Sequence, residues 1–233
     1  MGPTSLRYQL TRAGYAARRR LWAGKIDRVY GDLVAGLDQD GFIERFRPYW
    51  SPFPTIKASK FLDLDVWLRE AVFRALLLGL HRAPGRLRVL DLGAGTGYFL
   101  LVGRHLGHDM LGLDLDGEPL YNECFDFFGL PGLVQRIDPM TALPELPWPP
   151  DLVTAFMTSF NEYDDGRPWG AEPWQFFLED LRSRLPAGGR GVVKFNVNPK
   201  TGQFYSPEVC RAIRRSRGFH TRFSMDYLFL AAR

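Results

Sequence analysis

Three glycines at alternate positions, Gly93, Gly95 and Gly97, stand where the hydrophobic run Val89-Leu90-Asp91-Leu92 gives way to the helical periodicity of Tyr98 to Leu106. Glycines lack a Cβ, so they let a strand turn sharply into a helix and let the backbone approach a ligand closely. The helix that follows offers unpaired N–H groups in its first turn, so a polar ligand belongs there. A dinucleotide fingerprint, G-x-G-x-x-G, requires glycine at position 98, which is Tyr98. The spacing here is G-x-G-x-G behind an acidic strand end, which weakens the dinucleotide reading.

The rest of the chain fits around this turn. Short apolar runs at Leu87 to Leu92, Met110 to Leu115, Leu133 to Ile137, Leu152 to Phe156 and Gly191 to Phe195 read as five parallel strands. Apolar residues three or four apart at Tyr98 to Leu106, Glu118 to Phe128, Trp174 to Leu185 and Pro207 to Arg215 read as the intervening helices. Thr141 to Pro150 carries four prolines, so a loop is expected there in place of a crossover helix. Phe219 to Ser224 and Tyr227 to Ala232 read as a terminal hairpin. Before Leu87 the pattern is helical, over Ile26 to Leu37, Phe42 to Phe46 and Leu64 to Leu80. The 233 residues suit one α/β domain, residues 87–233, with a helical extension and lid at residues 1–86.

Hydrophobic residues make up 45% and charged residues 24%, the balance of a soluble globular protein. Cys124 and Cys210 have no zinc or disulfide spacing, so no metal site is expected and a reduced, cytoplasmic setting is. Met1-Gly2 resembles a myristoylation start, but Leu6 stands where Ser or Thr is needed, and the Arg-rich start shows no transit-peptide cleavage site. Seven of the 30 Lys and Arg and one of the 26 acids lie in the first 28 residues, a local charge of +6 that leaves −2 on the remaining 205. The basic character therefore belongs to the N-terminal arm, where Tyr8, Tyr15 and Trp22 recur every seven residues beside Arg12, Arg18 and Arg19. Such an amphipathic helix suits an anionic membrane, RNA, or docking on its own catalytic body or a second subunit, with docking preferred.

The segment Val89 to Phe99 resembles motif I of class I S-adenosylmethionine-dependent methyltransferases, a hydrophobic strand, an acid and then G-x-G-x-G. The resemblance covers Leu87 to Arg233 and implies a Rossmann-like α/β fold. That fold has a mostly parallel central sheet, helices on both faces and a C-terminal antiparallel hairpin. It also implies S-adenosylmethionine as cofactor and S-adenosylhomocysteine as product. Gly93, Ala94 and Gly95 would pass under the methionyl part of the donor, with Asp91 near its ammonium group. Asp114, closing the second strand, would accept hydrogen bonds from the ribose hydroxyls. Asp116 is a helix cap or a further ligand. Asp138 is either the partner of the adenine amino group or a solvated loop acid beside Pro139. Phe156 and Met157 pack near the adenine or simply in the core, and Tyr98, Leu115 and Pro139 complete the expected donor site.

Acceptor contacts are expected beyond the carboxyl ends of strands four and five and from the N-terminal helices. Asn161 and Glu162 are the catalytic candidates, and Asp164 or His220 would serve as base if placed within hydrogen-bond reach; for Glu162 an exposed loop acid, and for His220 a structural or exposed residue, is the competing reading. Lys57, Lys60, Tyr49, Trp50 and Phe53 form a candidate lid. Asn161-Glu162-Tyr163 lacks the prolines of an (Asn/Asp/Ser)-Pro-Pro-aromatic motif, and neither cysteine follows a proline, so no DNA base substrate is expected. The resulting expectation is O- or N-methylation of a small molecule or glycan. The competing class is an inactive methyltransferase-fold binding protein acting through its arm on membrane or nucleic acid.

Overall fold

The computed structural model describes residues 6–50, 57–115, 117–156, 160–162, 165–196, 206–224 and 227–233. Seven strands form one sheet: β1 (Arg88–Leu92), β2 (Asp109–Asp114), β3 (Gly132–Val134), β4 (Leu152–Phe156), β5 (Arg190–Lys194), β6 (Phe219–Ser224) and β7 (Tyr227–Ala232). Their order is β3-β2-β1-β4-β5-β7-β6. The first five are parallel, with Leu90 opposite Leu111 on one side and Val153 on the other. β7 runs antiparallel between β5 and β6, so the expected terminal hairpin completes the sheet.

The helices are α1 (Leu6–Leu21), α2 (Ala23–Val34), α3 (Gln39–Phe46), α4 (Leu64–Leu77), α5 (Tyr98–His105), α6 (Pro119–Phe128), α7 (Ala171–Arg184) and α8 (Pro207–Arg214). Successive strand side chains point to opposite faces, which is why the central runs are apolar throughout. Leu90, Val153 and Val193 pack against Trp174, Phe177, Leu181 and Ile213 of α7 and α8. Val89, Leu152 and Val192 pack against Leu68, Val72, Phe73 and Phe99 of α4 and α5. Asp63 caps α4, its side chain accepting from the Val66 N–H at 3.1 Å, and Gly79, in the left-handed region, ends that helical stretch before the expected Leu80.

Two expectations are refined. β3 is three residues long and stops at Val134, short of Ile137. It is an edge strand with one neighbour, and beyond it the chain turns so that Ile137 enters the core. The proline-rich stretch forms no helix; it is tied to α7, where Asp180 accepts from the Leu143 N–H at 2.9 Å and Arg184 donates to the Pro144 carbonyl at 2.5 Å.

The basic arm docks on its own body. The Tyr15 ring meets Phe73 edge-on at 5.0 Å and Trp22 meets His81 at 5.6 Å, so two residues seven apart grip α4 and the turn after it. The Tyr8 side chain lies outside the described residues. Among the described residues no helix is long and apolar enough to cross a membrane.

At the glycine turn, Gly97 has φ +75° and a Cβ there would lie 2.4 Å from Leu130 Cδ1 and 3.0 Å from Phe125 Cε2. Gly95 also has positive φ, +56°, but nothing within 4 Å of an added Cβ. Gly95→Ala should cost about 1–2 kcal/mol in backbone strain. Gly97→Ala should add about 1–3 kcal/mol of overpacking, at roughly 2–4 °C of melting temperature per kcal/mol. Thermal unfolding followed by circular dichroism should rank Gly97→Ala lowest; equal melting temperatures would contradict the clash.

Candidate donor and acceptor site

The turn after β1 is fastened to the end of β2. Gly93 and Ala94 donate their N–H groups to the Leu113 carbonyl at 2.7 and 3.3 Å. Asp114 then accepts from the Gly95 N–H through Oδ2 at 2.5 Å and from the Leu115 N–H through Oδ1 at 2.7 Å. Each carboxylate oxygen keeps a second acceptor lobe, so Asp114 orders the loop without exhausting its capacity for ligand. Tyr121 stands beside it, its hydroxyl pushed up to about 12 by burial and the Asp114 charge.

These residues border a cavity of about 830 Å³ at the carboxyl ends of β1, β2, β4 and β5. Of the expected donor residues, Asp91, Gly93, Ala94, Gly95, Tyr98, Asp114, Leu115 and Phe156 line it. Leu115, half exposed, forms part of its wall. Tyr98 is nearly buried and its hydroxyl donates to the Phe61 carbonyl at 2.8 Å, tying α5 to the wall built by residues 60–74. Asp138 and Pro139 are not in the lining. Asp138 instead pairs with Arg136 at 2.8 Å, and the same segment contributes Gln135, Arg136 and Ile137 to the cavity.

Of the expected catalytic residues, Glu162 lines the cavity, on a loop closed by its bridge to Pro168. Asn161 lies outside the lining, its main-chain carbonyl accepting from the Trp169 N–H at 2.8 Å. His220 is on β6, away from the cavity, beside Arg222 and Arg190. Of the candidate lid, Lys60 lines the cavity with its Nζ 4.8 Å from the Phe61 ring centroid. Tyr49 donates to Glu123 and Trp50 is exposed, both outside the lining. Met157, Asp116, Asp164 and Phe53, and the Lys57 side chain, lie outside the described residues.

Asp91 is a strongly perturbed acid. It is 3% exposed and accepts from the Thr154 hydroxyl at 2.6 Å. Burial pushes its carboxyl up to about 7; the Thr154 bond and the charge of Arg74 oppose this, and Asp114 adds to it. Glu70 and Arg74, one turn apart on α4, also line the cavity and are bonded to each other at 3.1 Å. The Arg74 guanidinium lies 4.9 Å from the Phe156 ring centroid. Glu70, Arg74, Thr154, Phe61, Trp67 and Asn196 were not marked by the sequence reading. Its one available signal was a Glu and an Arg at i, i+4 on a helix apolar on almost every other side.

No family model and no curated protein matches this sequence. Solved structures resemble it in fold. One is DesVI of Streptomyces venezuelae, with TM-score 0.53, 16% identity, and 76% of this chain and 98% of that chain covered. A second is magnesium protoporphyrin IX methyltransferase from Synechocystis PCC 6803 with bound S-adenosylmethionine, with TM-score 0.52, 15% identity, and coverage of 82% and 91%. A third is an S-adenosylmethionine-bound amino pentose methyltransferase from Micromonospora echinaspora, involved in calicheamicin biosynthesis, with TM-score 0.50, 16% identity, and coverage of 72% and 91%. The chain has the Rossmann-like fold of the class I S-adenosylmethionine-dependent methyltransferases.

Because the folded-state value of Asp91 is raised from 3.8 to about 7, the folded protein favours the protonated acid. That contribution to stability is complete below about pH 4 and is lost as pH rises through about 7. Asp91→Asn keeps an acceptor for Thr154 and removes this penalty. Its melting temperature without ligand should exceed that of the natural chain by a few degrees at pH 8, with the gap closing towards pH 4. A lower melting temperature at pH 8 would show Asp91 to be ionised and favourably paired.

Proposed function

We propose that this chain transfers a methyl group from S-adenosylmethionine to an oxygen or nitrogen of a small molecule or glycan. The observation that carries this reading is the meeting of the Gly93–Gly95 backbone, the buried Asp91 and the loop-bound Asp114 in one cavity. The donor's parts match these groups. Asp91 is a carboxylate whose ionised form is disfavoured by burial, so a ligand ammonium and sulfonium nearby supply the positive charge it lacks. Asp114 faces the ribose hydroxyls, and Leu115, Ile137 and Tyr121 provide apolar surface for the adenine. When bound, the donor supplies an electrophilic methyl on sulfur.

The chain's own contribution is to hold the acceptor close and in line and to exclude water, the larger part of the barrier reduction for such a transfer. Trp67, Phe61 and Phe160 form the apolar wall of the acceptor side. Glu162 takes the proton of an acceptor hydroxyl or ammonium, and Asn161 fixes the loop that carries it. Residues 1–86 act as the extension and lid over a transfer domain formed by residues 87–233. The protein works in the cytoplasm. The methyltransferase neighbours with small-molecule and sugar substrates in their names support the acceptor class.

Titration calorimetry should give micromolar binding of S-adenosylmethionine and S-adenosylhomocysteine and none of NAD; binding of NAD alone would overturn the reading. Asp114→Ala should weaken both sulfur ligands at least about tenfold, roughly 1.4 kcal/mol for a lost hydrogen bond to a charged group. Affinity for the cationic donor should also fall as pH drops below about 7, because Asp91 is then protonated. Transfer of labelled methyl to a panel of hydroxyl and amino acceptors identifies the product, and loss of that transfer in Glu162→Gln with donor affinity intact identifies the base.

A further inference from the structure

The arm does more than cover apolar surface. The Tyr15 hydroxyl, reaching from α1, donates to Glu70 Oε1, the same oxygen that accepts from Arg74 Nε at 3.1 Å. Arg19, one turn further along α1, approaches the other oxygen, Oε2, at 3.9 Å. Lys194, at the end of β5, places its Nζ 4.6 Å from the Tyr15 ring centroid and 5.7 Å from that of Tyr227. Burial alone would raise Glu70, but Arg74, the Tyr15 bond, Lys194 and Arg19 more than offset it, so the carboxyl stays ionised below its usual value. Glu70 and Arg74 both open onto the donor cavity, and the Arg74 charge is felt by Asp91. One side of Arg74 is held by Glu70, and its guanidinium lies near Phe156, so little rotational freedom remains to it.

We propose that Tyr15 of the N-terminal arm is a positioning residue for the donor. It fixes Glu70, which in turn presents Arg74 beside Asp91 as the anchor for the carboxylate of the donor's amino acid end. The chemistry is complementary: that end of the donor is a zwitterion, and the cavity is lined by a guanidinium and by a carboxyl that feels its charge. A rigid guanidinium forms a bidentate pair with a carboxylate at smaller entropic cost than a mobile one. The arm therefore acts on binding through the Tyr15 hydroxyl bonded to Glu70, with Arg19 a more distant partner of the same carboxylate. This inference rests on the donor reading above.

The test uses two ligands that differ only in that zwitterionic end: S-adenosylhomocysteine, which has it, and 5′-methylthioadenosine, which lacks it. Tyr15→Phe keeps the ring against Phe73 and removes the hydroxyl, and Glu70→Gln removes the charge that orients Arg74. Both should weaken S-adenosylhomocysteine by about tenfold and leave 5′-methylthioadenosine unchanged; Arg74→Met should do the same more strongly. Melting curves confirm that each variant is folded. If Tyr15→Phe binds both ligands as the natural chain does, or loses both equally, the positioning role is overturned. If the natural chain binds neither ligand, it is the donor reading that fails.

Discussion

Asp91 sits in a strand buried on both faces, and an ionised carboxylate there gives up most of its hydration. The Thr154 hydroxyl and the charge of Arg74 return part of that loss, and the remainder shows as a carboxyl pushed up to about 7. A group so placed weakens the fold whenever it is charged. What it provides is a fixed, poorly hydrated acceptor whose interaction with an incoming cation is much stronger than in water. The glycine turn follows at once, and its three residues without a Cβ leave the backbone open to close approach beside that carboxyl. The Asp114 carboxylate, bonded to the Gly95 N–H, then stops the turn from collapsing into the space it opens.

Arg74 extends the same electrostatic chain. Its burial opposes the charged form, and Glu70 compensates; Glu70 in turn is held by Tyr15, Arg19 and Lys194. A buried ion pair of this kind contributes little net stability, since desolvation consumes most of the attraction. Its effect is to fix geometry. The arm, α4, β5 and the donor cavity are linked through side chains that satisfy one another, and so α1 lies along its own body with Tyr15 and Trp22 turned inward.

The fold was legible because its signals are local. Apolar runs such as Leu152 to Phe156 can be sheet interior only if both faces are covered, and the glycines at 93, 95 and 97 mark a strand-to-helix turn on their own. Asp91 and Asp114 were placed at the cavity from the same local signal, Asp114 closing β2 and Asp91 lying one residue before the end of β1. Asn196 was not, because whether a residue just past a strand reaches the cavity depends on sheet twist and on neighbouring loops. For Asp138 two readings stood, a partner for the adenine or a solvated loop acid; the edge strand ends at Val134, and the acid pairs with Arg136 outside the cavity lining. The i, i+4 pair Glu70 and Arg74 reads as an exposed helix pair until α1 and β5 are known to enclose it.

The signs of charge around the cavity bear on the acceptor. Among the described residues Asp91, Asp114, Glu70 and Glu162 line it together with Lys60, Arg74 and Arg136, and Glu70 and Arg74 share α4. Glu70 is engaged with Arg74, and Arg136 with Asp138 outside the lining, so the described residues form no continuous track of free cations. A nucleic acid backbone needs such a track, because its affinity comes from neutralising successive phosphates. A compact acceptor instead needs apolar walls with a few polar groups converging on one reacting atom. Phe61, Trp67, Phe160 and Glu162 all line the cavity, and one basic residue of the arm, Arg19, comes within 3.9 Å of Glu70 in that lining.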